Sequence, residues 1–316
     1  MSLPNNQQRQ LHQPVLYHEV LYALQPRSMG RYVDATVGAG GHAWGILKAS
    51  SPDGRLLGFD LDPAALQIAQ QRLSNFDKRV ILVQASYTCL SEQLQRLGWN
   101  AVEGIVADLG VSSMQLDTPE RGFSIYADGP LDMRFDPHQK QPVAELVNSL
   151  PEEQLANLIW KYGEEKMSRK IAHAIVQARP LATTKQLAEV IAKAAGGKRG
   201  HIHPATRTFQ ALRIAVNNEL ETLEQFLPQA IKALAPRARL AVISFHSLED
   251  RIVKQFFKQE SRNCICPPRQ PLCTCQHKAS ILLLTNQAIT PTATEIQVNP
   301  RARSARLRIV EKLEMA

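Results

Sequence analysis

Short apolar runs alternate with amphipathic stretches over the first third of the chain. Tyr32-Val33-Asp34-Ala35-Thr36-Val37-Gly38 reads as a strand closing on glycine, and helical spacing follows from His42 to Lys48. Arg55-Leu56-Leu57-Gly58-Phe59-Asp60 is a second strand ending in an acid, after which Pro63 opens a helix to about Leu73, proline being tolerated in a first turn. The rhythm repeats through Val80-Ile81-Leu82-Val83-Gln84-Ala85, a helix near Leu90 to Leu97, and Gly104-Ile105-Val106-Ala107-Asp108-Leu109. Strands this continuously apolar, each followed by a helix, predict a parallel sheet buried on both faces.

After Gly110 the rhythm stops, and it resumes only at Arg239-Leu240-Ala241-Val242-Ile243-Ser244-Phe245. The gap is too long for a crossover. Within it, Pro151 to Tyr162, Ser168 to Ala178 and Thr184 to Ala194 carry amphipathic helical spacing, and Gly196-Gly197-Lys198-Arg199-Gly200 reads as a basic loop. A single long helix is predicted from about Ala205 to Leu234, another from Leu248 to Gln259, and closing strands at Ile281 to Thr285 and Ala305 to Val310. The pattern therefore predicts an α/β fold with a Rossmann-like sheet of about seven strands. That domain is discontinuous, residues 1–114 and 205–316, and a helical domain of residues 115–204 is inserted into it.

The chain has 316 residues, 44% of them hydrophobic and 21% charged, which excludes disordered and collagen-like classes. No run approaches the roughly 18 apolar residues of a membrane span, and the first twenty residues lack a signal-peptide pattern, so no membrane partner and a cytoplasmic location are expected. Net charge is +8 and the pI about 9.3. The excess is uneven: residues 151–213 are net +6, residues 296–316 net +3, and the remainder net −1. Such blocks fit a nucleic-acid face or a solvated helical surface. Lys198, Arg199, His201, His203, Arg207 and Arg213, with Arg301, Arg303, Arg306 and Arg308, are the candidates for a phosphate backbone. Arg207 and Arg213 have a competing reading as partners of Glu219 or Glu221.

Candidate chemistry begins at Gly38-Ala39-Gly40-Gly41-His42, between the first strand and its helix, where glycine lets a ligand touch the backbone. Asp60, 22 residues after Gly38, ends the second strand where an acid accepts hydrogen bonds from a ribose. Together they predict an adenosine-containing ligand. Gly38-x-Gly40-x-x-Ala43 also satisfies the dinucleotide pattern, which keeps NAD and an oxidoreductase with His246 as its acid/base open. S-adenosylmethionine is favoured by Asp108-Leu109-Gly110-Val111-Ser112-Ser113, an acid on a glycine turn at the sheet edge, although Ser112 or Ser113 there also reads as a helix cap.

These blocks resemble the bacterial RsmH (MraW) family. The likeness rests on Gly38 to His42, Asp108 to Asp117, Arg121-Gly122-Phe123-Ser124, Gly129-Pro130-Leu131-Asp132-Met133-Arg134, His203 to Arg213, Ser244 to Arg251 and Asn299 to Ser304, which span nearly the whole chain in order. The resemblance implies a class I methyltransferase sheet with its last strand antiparallel. It also implies an S-adenosyl-L-methionine-dependent enzyme that methylates the N4 amine of a cytidine in the decoding region of 16S ribosomal RNA, with that RNA or the small ribosomal subunit as partner. Carried onto matching positions, it implies cofactor contacts from Gly40, Gly41, His42, Asp60, Tyr87, Asp108 and Gln115.

Methyl transfer is an in-line displacement that depends on alignment. The cytosine N4 lone pair is delocalised into the ring, so acceptors must hold the amine, and Asp108 is the candidate catalytic residue, placed to accept its protons. Val111 offers no stacking face; Phe123, Tyr126, Phe135 and Phe245 are the aromatic candidates for the base. A catalytically silent RNA-binding protein is the third reading. The oligomeric state stays open, a homodimer included.

Cys264, Cys266, Cys273 and Cys275, followed by His277, offer enough ligands for a tetrahedral zinc site in a Pro-rich loop. Their Cys-x-Cys spacing is tighter than usual, and reduced thiols without metal are the alternative. Cys89 reads as a core residue.

Overall fold

The computed structural model describes residues 14–138, 141–196, 203–267, 270 and 272–314. They fall into two compact units. One comprises the described residues up to Asp60, Ala64–Leu109 and those from Leu227 onward; the other comprises Leu61–Pro63 and Gly110–Phe226.

The first unit holds β1 (Arg31–Asp34), β2 (Arg55–Asp60), β3 (Val80–Gln84), β4 (Val102–Asp108), β5 (Leu234–Ser244), β6 (Ile281–Leu283) and β7 (Arg306–Lys312). Their order in the sheet is β3-β2-β1-β4-β5-β7-β6. The first five are parallel, and β7 runs antiparallel to both neighbours. The chain leaves β1 toward β2 and returns on the other side at β4, so the switch in strand order lies between β1 and β4. At such a switch the connecting loops part and leave a crevice at the carboxyl ends of the strands. Register places Asp34 opposite Val106, and Asp60 opposite Gln84.

The central strands are apolar because both faces are covered. Val20 and Leu24 from helix Tyr17–Leu24, Ile46 and Leu47 from helix Gly41–Ala49, and Leu73 join Tyr32, Leu56, Ile243 and Leu307 in one buried cluster. β3 is an edge strand and none of its residues is fully buried. Its continuous apolar run conceals that, because a run of Val, Ile and Leu reads the same at an edge as in the middle.

The second unit is helical. Helices Val143–Ser149, Glu152–Gly163, Ser168–Gln177, Thr184–Ala194 and Thr206–Asn217 contribute Val147, Leu155, Ile159, Ile171, Ile175, Leu187, Ile191, Phe209 and Leu212 to a separate core. Helix Thr184–Ala194 shows how the sequence sets such an element. Thr183 accepts the Gln186 N–H while the Gln186 side chain accepts the Thr183 N–H, which closes the first turn. Leu187, Ala188, Ile191 and Ala194 then recur on one buried stripe.

Two expectations differ from the structure. The long helix from Ala205 to Leu234 is two helices, Thr206–Asn217 and Glu219–Ala233, parted by Asn218 in the left-handed region at φ 50°. Asparagine tolerates that conformation, and the hydrophobic period resumes so soon after one residue that a periodicity reading passes over the break. The helical unit also extends to Phe226, past residue 204, because Phe209, Leu212 and Val216 pack into its core. No helix among the described residues is long and apolar enough to cross a membrane.

Candidate active site

The loop after β1 is built by glycine. Gly38 (φ 49°) and Gly40 (φ 76°) take left-handed conformations, and a side chain on Gly40 would meet Ala69 Cα at 3.3 Å. Gly40 is also the N-cap of helix Gly41–Ala49 and adds no side-chain cap, so backbone N–H groups face the carboxyl edge of β1. Asp60 crosses from the end of β2 and accepts the Gly38 N–H at Oδ2, 2.8 Å away. The glycine loop and the acid predicted 22 residues apart are thus bonded to each other.

At the switch itself three ionisable groups converge. Asp34 ends β1 and is 1% exposed; His42, in the first turn of the helix, is 4% exposed. Asp108 ends β4, its backbone N–H donating to Thr36 Oγ1 at 2.7 Å. His42 Nε2 stands 3.6 Å from Asp108 Oδ2, close enough for charge to act but too long for a hydrogen bond. The His42 ring stacks on Tyr17, centroids 6.3 Å apart. Asp34 Oδ2, both His42 ring nitrogens and Asp108 Oδ1 are buried without a hydrogen-bond partner. Buried polar atoms are ordinarily satisfied, so four orphans in one crevice mark a place that a polar ligand completes.

Burial pushes the Asp34 carboxyl up to about 7. His42 opposes that rise, as does the Thr36 N–H that Asp34 accepts, while Asp108 and Asp60 add to it. Asp34 belongs to no motif in the sequence. The available signal was an acid inside an apolar strand, one that only the closure of the sheet around it makes unusual.

The other predicted contacts are placed differently. Tyr87 opens a short 3-10 turn after β3 and is half-buried. Gln115 belongs to the second unit, where it completes the capping box of Ser112, its Oε1 accepting the Ser112 N–H at 3.0 Å. Its Nε2 donates to Asp62 Oδ2 at 3.0 Å. The cap reading of Ser112 therefore holds, and the Gln115 side chain serves two structural bonds. Asp62, 1% exposed and not singled out in the sequence, also binds Arg121, whose Nη2 reaches the carbonyls of Arg134 and Phe135.

Of the aromatic candidates, Phe123 lies between Phe135, stacked at 5.8 Å, and the Arg121 guanidinium, and Phe245 packs against the core of the first unit. Tyr126 is 83% exposed.

The basic candidates divide. Lys198, Arg199 and His201 lie outside the described residues. Arg207, Arg301 and Arg303 are exposed. Arg213 pairs with an acid: its Nε and Nη2 each bond Glu219 at 2.8 Å, the pairing that the sequence left open. Arg308 is buried and grips Asp250 at 2.7 and 3.2 Å, and Arg306 reaches the same carboxylate at 3.0 Å. Sequence reading instead passed over an exposed surface in the second unit, where Asn157, Trp160, Lys166, Arg169 and Lys170 line one hollow.

In the first unit the loop after helix Ser247–Glu260 brings the Sγ atoms of Cys264, Cys266, Cys273 and Cys275 within 4.8 Å of one another. The backbone N–H groups of Ile265 and His277 pull the Cys275 thiol down to about 6. Cys89 is half-buried.

A seven-stranded sheet in this order, with a glycine loop after β1, an acid at the end of β2 and an acid at the switch, defines a Rossmann-like fold of the class I methyltransferase type. The model of the MraW methylase family matches residues 9–313, and the chain belongs to that family. It is 52% identical over 302 residues to the ribosomal RNA small subunit methyltransferase H of Dehalococcoides mccartyi, covering 96% of this chain and 86% of that protein. The proteins of the same name from Thermomicrobium roseum and Heliobacterium mobile are 50% and 48% identical, each over 96% of this chain and over 94% and 99% of their own lengths.

Proposed function

We propose that the chain is an S-adenosyl-L-methionine-dependent methyltransferase acting on the N4 amine of a cytidine in the decoding region of 16S ribosomal RNA, in the cytoplasm. The relatives named above are ribosomal RNA small subunit methyltransferases. The observation in this chain that carries the reading is the trio Asp34, His42 and Asp108 at the switch between β1 and β4, with its unpartnered buried atoms.

The residues present fit the donor. Asp60 would accept ribose hydroxyls, and the helix N-terminus at Gly41 and His42 would receive a carboxylate. The orphaned atoms of Asp34, His42 and Asp108 supply acceptors, and a donor from the imidazole, inside the crevice. When bound, S-adenosylmethionine supplies an electrophilic methyl group. Asp108 accepts an N4 proton of the target amine, which orients the nitrogen, and it is the group able to take the proton released on transfer. His42, 3.6 Å from Asp108 Oδ2, acts on that carboxylate through its polar ring.

The RNA is held by charge and stacking. Lys166, Arg169 and Lys170 around exposed Trp160 make a basic surface on the second unit, where Arg207 is also exposed. Tyr126 is the exposed aromatic for an unstacked base. The four-cysteine loop stands apart from this chemistry and is read as holding a structural metal ion.

The test is transfer of a labelled methyl group to undermethylated small subunits, with mass spectrometry of the released nucleosides. N4-methylcytidine is the expected product. A label on another atom, or none with NAD bound in preference to the donor by calorimetry, overturns the reading.

A further inference from the structure

Helix Ser247–Glu260 ends at Ser261, and no helix or strand follows among the described residues until β6 begins at Ile281. The described residues between are largely exposed, and none belongs to either apolar cluster. Ordering such a segment costs about 1–2 kcal/mol of backbone entropy per residue, with no core to offset it. Something other than apolar burial must hold it.

The loop's two Cys-x-Cys turns point their sulfurs at one another. Cys273 and Cys275 Sγ are 3.6 Å apart, Cys275 and Cys264 Sγ 3.9 Å, and all four lie within 4.8 Å. A disulfide requires about 2.05 Å, so these are separate thiols. A tetrahedral ion with metal–sulfur bonds of about 2.3 Å sets its sulfurs about 3.8 Å apart, close to the 3.6 and 3.9 Å of these two pairs. The Ile265 N–H donates to Cys275 Sγ at 3.5 Å, a bond that favours a sulfur carrying negative charge. His277 is directed elsewhere, its Nε2 lying 3.1 Å from the Gln259 carbonyl.

We infer that Cys264, Cys266, Cys273 and Cys275 form a four-thiolate site for a zinc ion that clips the loop between helix Ser247–Glu260 and β6. The inference rests on the metal reading of this loop and is independent of methyl transfer. Four thiolates select a soft or borderline cation, and they leave no open position, so the site is structural. Each cysteine gives its proton to the buffer as its sulfur–metal bond forms, with no change of oxidation state.

The full chain, purified under reducing conditions without chelator, is expected to carry about one zinc per chain by elemental mass spectrometry, and to take up cobalt with thiolate-to-metal charge-transfer absorption. Cys264→Ser with Cys275→Ser should abolish the metal, while Cys89→Ser should retain it. If the double variant does not fold, the wild-type content and the cobalt spectrum still decide. Another metal, such as iron with cluster absorption, overturns zinc and leaves the metal reading standing. No metal, even after incubation with zinc chloride, overturns both.

Discussion

Asp60 Oδ2 accepts the Gly38 N–H at 2.8 Å, so the acid at the end of β2 and the turn after β1 are tied to each other. The same carboxylate is the group proposed for the donor's ribose. Asp60→Ala is expected to weaken donor binding at least tenfold and to cost about 1 kcal/mol of stability through the lost bond. Calorimetry with S-adenosylmethionine and denaturant unfolding of the same variant separate the two effects. Unchanged affinity in a destabilised protein would leave Asp60 with the turn alone.

Asp108 and His42 face each other at 3.6 Å across the switch. Asp108→Asn keeps the shape and loses the proton acceptor. Single-turnover transfer should slow by about 10²-fold or more, with donor affinity changed much less. His42→Gln should slow the step by a smaller factor, since it acts through Asp108. A variant Asp108→Asn at wild-type rate removes the catalytic assignment.

Asp34 gives a pH signature. Its carboxyl is raised from 3.8 to about 7 in the folded protein, so the native state binds the proton more tightly than the unfolded chain. That contribution is fully present below about pH 4 and is lost as pH climbs to about 7 and beyond. It amounts to as much as about 4 kcal/mol. Asp34→Asn, which mimics the protonated form, should flatten this part of the profile. Its stability relative to wild type should rise from about pH 4 to about pH 7 and level off above in urea unfolding, and parallel profiles across that range would contradict the shift.

Two kinds of arginine should behave oppositely. Reversing Lys166, Arg169 and Lys170 to Glu is expected to weaken RNA binding and flatten its salt dependence, without loss of stability, since all three are exposed. Arg213→Ala should leave the salt slope unchanged and destabilise the fold by about 1–3 kcal/mol, because it removes two charge-assisted bonds to Glu219, which is 8% exposed. Filter binding across a salt series, paired with thermal unfolding, tests both.

Asp250 holds the two arginines of β7, one of them buried. Asp250→Asn should cost about 3–5 kcal/mol by leaving the Arg308 charge uncompensated, while Asp250→Asn with Arg308→Met should recover part of it. A double-mutant cycle measures that coupling.

The sequence by itself determined the alternation of strand and helix, the glycine turn with its acid, the helical insert and the family. Each of these is written in neighbouring residues or in their order: apolar runs bounded by glycine, a capping threonine three residues before its glutamine, blocks matched along the whole chain. Only the tertiary structure decided the rest. That Asp34 is a perturbed acid depends on the helix and β4 closing around it. Arg213 and Arg308 carry the same charge as Arg207 and Arg303, and nothing local separates the paired from the exposed; Asp250 and Arg308 meet across 58 residues. The four cysteines are a candidate zinc site already in the sequence, but only the fold shows their sulfurs to converge. Charge, burial and ligation are properties of distance, and distance between remote residues is what folding alone supplies.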